Sequence, residues 1–123
     1  MILVDTSVWI DHLRRGDAAL HSLLQAGRVL VHPLVIGEIA MGNLRQRDTI
    51  LTSLANLPQA HVATDYETLR FIDANLLFGL GISYIDVHLL ASVRLTQGAR
   101  LLTRDKRLAA SAEALALDHR SGE

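Results

Sequence analysis

Three carboxylates in this sequence have no charged neighbour to answer them. Asp5 closes the run Met1-Ile2-Leu3-Val4, Glu38 lies inside Leu34-Val35-Ile36-Gly37-Glu38-Ile39-Ala40-Met41, and Asp86 lies inside Ile82 to Leu90. No Lys or Arg stands within four residues of any of them. A carboxylate taken out of water without a partner is costly or must take up a proton, so compensation has to come from elsewhere in the fold. A divalent cation held jointly is the economical answer, because one ion serves several carboxylates. Asp105 is the fourth candidate: it follows Leu101-Leu102-Thr103 as Asp5 follows Ile2-Leu3-Val4. The other acids have local explanations. Asp11 can pair with Arg14 and Arg15, Asp48 with Arg45, and Glu67 and Asp73 with Arg70, while Asp17 and Asp65 sit where helix N-caps belong, the latter beside Thr64, which can cap the same helix.

Each of the four has a plainer alternative. Asp5 and Asp105 precede helices and can serve only as N-caps. Glu38 can be a rim residue, and Asp86 can bond to its own helix start. The case for chemistry rests on the four together.

The elements that must position them read as short strands alternating with helices. Strand candidates are Ile2-Leu3-Val4, Val29-Leu30-Val31, His61-Val62-Ala63, Arg100 to Thr103 and Leu115-Ala116-Leu117. Helices are expected over 6–15, 17–26, 34–41 after Pro33, 47–57 before Pro58, 65–78, 85–97 and 106–114. This alternation implies an α/β fold with a mostly parallel sheet of four to five short strands. Ligands of such sheets bind outside the carboxyl ends of the strands, and Asp5 and Asp105 are both predicted at that edge. Helix-borne Glu38 and Asp86 can face it too.

Composition narrows the function classes. The chain has 123 residues, half of them hydrophobic, and reads as one domain spanning 1–123. The absence of Cys excludes a disulfide scaffold, a thiolate metal site and a Cys nucleophile. Aromatic residues make up 4%, too few for a base-stacking platform. The longest stretch without a charged residue, Thr49 to Thr64, contains Pro58 and is too short to span a membrane. The start reaches Asp5 with no basic segment before it, unlike a signal peptide, so a soluble cytoplasmic protein is expected.

Asp5-Thr6-Ser7-Val8-Trp9-Ile10 after an apolar strand resembles the opening of PIN-domain ribonucleases. Glu38 after Pro33, Asp86 in Gly81-Ile82-Ser83-Tyr84-Ile85-Asp86, and Asp105 in Leu101-Leu102-Thr103-Arg104-Asp105 match the family's remaining acidic positions in order. Length and order are most similar to the VapC-type toxins of bacterial toxin–antitoxin modules. Lys106-Arg107-Leu108 lacks the aromatic residue found there in many members. The resemblance implies a PIN-like three-layer α/β/α sandwich and Mg²⁺- or Mn²⁺-dependent cleavage of RNA. It also implies a homodimer and a cognate VapB-type antitoxin that covers the active site.

Phosphodiester hydrolysis needs an activated water and relief of charge on the phosphate, and hard cations held by carboxylates supply both. Asp5, Asp86 and Asp105 are the expected direct ligands, with Glu38 on a second ion or positioning the water. Thr6 or Ser7 can hydrogen-bond a ligand carboxylate or a substrate phosphate, and Thr103 either does the same or is simply a strand residue. Arg104, Lys106 and Arg107 bracket Asp105 and can hold RNA phosphates, or form an ordinary solvated helix start. His32 precedes Pro33 at the sheet edge; His88 is two residues from Asp86 and should point to another side of its helix.

A phosphoacceptor receiver domain fails for want of an adjacent acidic pair after the first strand. A haloacid-type phosphatase fails because Asp5-Thr6-Ser7 is not Asp-x-Asp. A PIN nuclease of RNA processing and an inactive PIN scaffold stay open. The net charge of −1 includes the four acids. Setting them aside leaves a mildly basic remainder, nearly all of it arginine, which is compatible with an RNA substrate.

Overall fold

The computed structural model describes residues 1–120; the last three positions of the expected 1–123 domain lie outside them. The elements in chain order are β1 (Ile2–Val4), α1 (Thr6–Arg15), α2 (Ala18–Gln25), β2 (Val29–Leu30), α3 (Pro33–Ala40), α4 (Arg47–Ala55), α5 (Asp65–Asn75), α6 (Tyr84–Leu95), β3 (Arg100–Leu102) and α7 (Lys106–Ala114).

The sheet is parallel with order β2-β1-β3. β1 is central and all three of its side chains are buried, as its unbroken apolar run requires. Helices cover it with apolar stripes: Val8 and Trp9 from α1, Val35 and Ile39 from α3, Leu89, Leu90 and Val93 from α6, and Leu108 and Ala112 from α7. Each such large side chain removed from water is worth about 1.5–3 kcal/mol.

Among the described residues the sheet has three strands, not the four to five expected. Two further segments reach the sheet but touch it by one bridge each, Val31 with Gln59 and Leu101 with Asp118. His61-Val62-Ala63 is not a strand because its backbone is claimed elsewhere. The His61 N–H donates to Thr96 Oγ1 (3.0 Å), the Ala63 N–H to Ser92 Oγ (3.3 Å), and Thr64 already caps α5. Leu115-Ala116-Leu117 fails because Leu115 still caps α7 and Ala116 turns with φ +57°. Only then does the Leu101 N–H reach Leu117 O (2.7 Å). α5 ends three residues before the expected Phe78, at a left-handed Leu76 (φ 54°).

The register places the site. Val4 lies opposite Leu102, and the Asp5 N–H continues the ladder to Leu102 O at 2.9 Å. Asp5 and the turn after β3 therefore leave the sheet side by side at its carboxyl edge.

Candidate active site

Asp5 is the buried member of the acidic set, 6% exposed. It caps α1: Oδ1 accepts the Thr6 N–H (2.8 Å), and Oδ2 accepts the hydroxyls of Ser7 (3.0 Å) and Thr103 (2.7 Å). Three neutral donors thus stand where a counter-ion would otherwise be needed. The same hydroxyls extend the network, since Ser7 Oγ accepts the Arg104 N–H (3.3 Å) and Thr103 Oγ1 accepts the Asp105 N–H (3.1 Å). Thr6, Ser7 and Thr103 all lie in this web; Thr103 is more than a strand residue.

Asp86 sits at the third position of α6, half-buried. Its Oδ2 accepts the Ser83 N–H (3.0 Å) while its own N–H donates to Ser83 Oγ (3.1 Å), a reciprocal capping box. Its carboxyl pKa is raised. Burial is the largest cause, and the charges of Asp5 and Asp105 push the same way, against the lowering by the Ser83 bonds. Asp5, Asp86 and Asp105 therefore share one negative field.

Asp105 is exposed and caps α7 through the Leu108 N–H (3.0 Å). Glu38 is exposed as well, the rim position that stood as its plainer alternative and not the buried carboxylate its apolar neighbours suggested. α3 buries Val35 and Ile39, one turn apart, and Glu38 lies off that stripe. It is tied to the site by Thr6, whose hydroxyl donates to Glu38 Oε1 at 2.7 Å, across the contact between α1 and α3.

The donor set suits a hard cation: carboxylate and hydroxyl oxygens in a mutually repelling group. Among the described residues, no three His, Asp or Glu side chains stand close enough to form a finished coordination shell. The acids share a field, and closing a shell around an ion requires side-chain movement.

The three basic residues around Asp105 have different surroundings. The Arg104 guanidinium is bound to Asp11 (3.1 Å) and to Asp17, partners that local spacing does not reveal. Arg107 lies over Gly81, so close that a Cβ there would stand 2.9 Å from its Cδ. Lys106 is exposed at the start of α7.

Asp11 pairs with Arg15 (3.3 Å), and Asp17 caps α2 through the Leu20 N–H (2.9 Å). Thr64, not Asp65, caps α5, and Glu67 closes its capping box in place of the expected pairing with Arg70. Asp65 instead accepts the Tyr84 hydroxyl (2.7 Å) and bonds His88 Nε2 (3.0 Å). His88 thus turns toward α5, away from Asp86. His32 is fully buried. Its Nδ1 accepts the Leu34 N–H (3.0 Å), which puts the ring proton on Nε2, facing Ser92 Oγ at 3.1 Å.

The profile of the PIN domain family matches residues 2–114. The chain is also 55% identical over 111 residues, 90% of each chain, to the protein named Ribonuclease VapC32 of Mycobacterium tuberculosis. The match is the same for strain CDC 1551 / Oshkosh and for strain ATCC 25618 / H37Rv.

Proposed function

We propose a function from one premise: this chain belongs to the PIN-domain family and is of the VapC type. It is a Mg²⁺- or Mn²⁺-dependent endoribonuclease, a single domain acting as the toxin of a toxin–antitoxin pair. The observation that carries the reading is the shared field of Asp5, Asp86 and Asp105 at the carboxyl edge of the sheet. The Asp86 carboxyl, whose ionisation is made costlier by burial and by the charges of Asp5 and Asp105, gains from a cation held between them, and the same cation lowers the charge of a phosphodiester.

Asp5, Asp86 and Asp105 are the residues that would hold the ion. When bound, it supplies Lewis-acid polarisation and a more acidic water. Thr6 holds Glu38 at Oε1, and the other carboxylate oxygen of Glu38 orients the attacking water or serves a second ion. Ser7 and Thr103 keep Asp5 from rotating. Lys106 is the basic residue best placed for a phosphate beside Asp105. The basic remainder of the chain and its few aromatics suit recognition of RNA by backbone and shape.

The partner is a VapB-type antitoxin, which the resemblance to a VapC-named ribonuclease supports. A homodimer fits the exposed Leu76, Phe78, Leu80 and Tyr84 around the α5–α6 connection. No helix among the described residues is long and apolar enough to cross a membrane, which suits a cytoplasmic toxin.

The test is a melt. At ten times its Kd, Mg²⁺ or Mn²⁺ adds about 1.4 kcal/mol to stability, an upward shift in Tm of several degrees. A Tm unchanged by millimolar Mg²⁺ and Mn²⁺ contradicts a shared cation site.

A further inference from the structure

We propose that Arg104 is a positioning residue, a clamp that holds the β3–α7 turn against α1 and α2 so that Thr103 and Asp105 keep their places beside Asp5. The inference rests on the ribonuclease reading above for its kinetic consequence, and on geometry alone for the clamp.

Every residue of the turn is engaged. Thr103 donates its hydroxyl to Asp5 Oδ2 (2.7 Å), and Asp105 donates its N–H to Thr103 Oγ1 (3.1 Å). Arg104, between them, grips α1 twice. Its N–H donates to Ser7 Oγ (3.3 Å) and its Nη1 to Asp11 Oδ2 (3.1 Å). Ser7 and Asp11 are one helical turn apart, on the same face of α1, so backbone and side chain of one residue bind successive turns. Arg104 Nη2 reaches a third point, Asp17, the N-cap of α2.

That third point is itself rigid. Gly16, with φ +76°, turns the chain out of α1, and the Asp17 N–H returns to His12 Nδ1 at 3.1 Å. Asp17 is largely shielded and is held by the Leu20 N–H as well. A guanidinium fork between two carboxylates fixes orientation as well as distance. The same pairing separates Arg104 from a phosphate-binding role. Two carboxylates already face its single charge, so a phosphate would have to displace them.

The test compares Arg104→Gln, Arg104→Lys and the double variant Asp11→Asn/Asp17→Asn. Asn retains the cap of α2, and the double variant leaves Arg104 in place. As a clamp, Arg104→Gln lowers kcat for RNA cleavage about tenfold to a hundredfold. KM and its dependence on salt stay as in the wild type, Arg104→Lys recovers part of the loss, and the double variant shows the same fall in kcat. A phosphate contact gives the opposite pattern, a raised KM and a salt slope smaller by about one, with the double variant unimpaired. That result overturns the proposal.

Amide exchange supplies a readout independent of activity. Arg104→Gln should speed exchange at Leu108 and Asp105, whose N–H groups depend on the turn, and leave the α6 core amides unchanged. Unaltered exchange at Leu108 overturns the clamp. If the wild type cleaves no RNA the ribonuclease reading fails, while the exchange result still decides the clamp. If Arg104→Gln does not fold, the same amides in the double variant decide it.

Discussion

Asp5→Asn lowers RNA cleavage by about a hundredfold to a thousandfold, the scale of losing one well-placed electrostatic group, while the protein stays folded. The geometry separates the two outcomes. Asn caps a helix about as well as Asp, so its Oδ1 still receives the Thr6 N–H that Asp5 receives at 2.8 Å. The hydroxyls of Ser7 and Thr103, which now donate to Oδ2, can rotate and accept from the new amide. What disappears is the negative charge. With it goes part of the repulsion that raises the Asp86 pKa, so the cation-free protein melts no lower than the wild type, and the Tm gain with Mg²⁺ shrinks. Cleavage assays beside melts in the presence and absence of Mg²⁺ check both halves. Cleavage within tenfold of the wild type would remove Asp5 from the chemistry.

The second large effect concerns stability in acid, and His32 carries it. Burial, aided by the charge of His88, lowers its pKa from 6.5 to about 4. The neutral ring is also what the bonds require, since Nδ1 must accept from Leu34. Between pH 6.5 and about 4 the unfolded chain holds a proton on this ring and the native chain does not. The unfolded state binds more protons, so stability rises with pH. The contribution is complete above 6.5, and about 3 kcal/mol is lost on descending to about 4. Asp17 and Asp65, whose carboxyls are lowered by their hydrogen bonds, add losses of the same sign at still lower pH. Asp86 opposes them, because its raised carboxyl takes up a proton in the native state and relieves repulsion.

Urea melts across this range, for the wild type and His32→Asn, measure the effect. Asn offers Leu34 an acceptor but no titrating ring, so the variant is weaker at neutral pH and its stability falls less steeply with acid. Equal slopes would contradict the assignment. An NMR titration of the wild-type His32 ring, silent until pH approaches about 4, gives the same answer without a variant.

How far the sequence could be read depends on whether an interaction is local. β1 was legible because its short β-branched and apolar run, cut off at once by Asp5, suits a strand buried on both faces. The cap at Asp17 follows from short-range chemistry in the same way, whereas the end of α5 at Leu76 came before the point the pattern suggested. For Asp5 and Asp86 the shared field was foreshadowed by the absence of nearby cations, and for Asp105, flanked by Arg104 and Lys106, by its place after a strand as Asp5 follows one; yet each of the three also serves a helix start. Glu38 shows where counting neighbours misleads. A helix buries a stripe, and in α3 that stripe runs through Val35 and Ile39. Arg104 was opaque for the opposite reason: its partners lie 93 and 87 positions earlier in the chain. The two missing strands were lost to competing donors and acceptors, Thr96 and Ser92 on one side and the turn at Ala116 on the other.

The central claim is that these acids cut RNA only together with a divalent cation. The most direct measurement is incubation of RNA with the purified chain in Mg²⁺ or Mn²⁺, in EDTA, and in EDTA followed by excess Mg²⁺ or Mn²⁺. The account predicts cleavage in the first, none in the second and recovery in the third. Cleavage that survives EDTA, or intact RNA in all three, contradicts it.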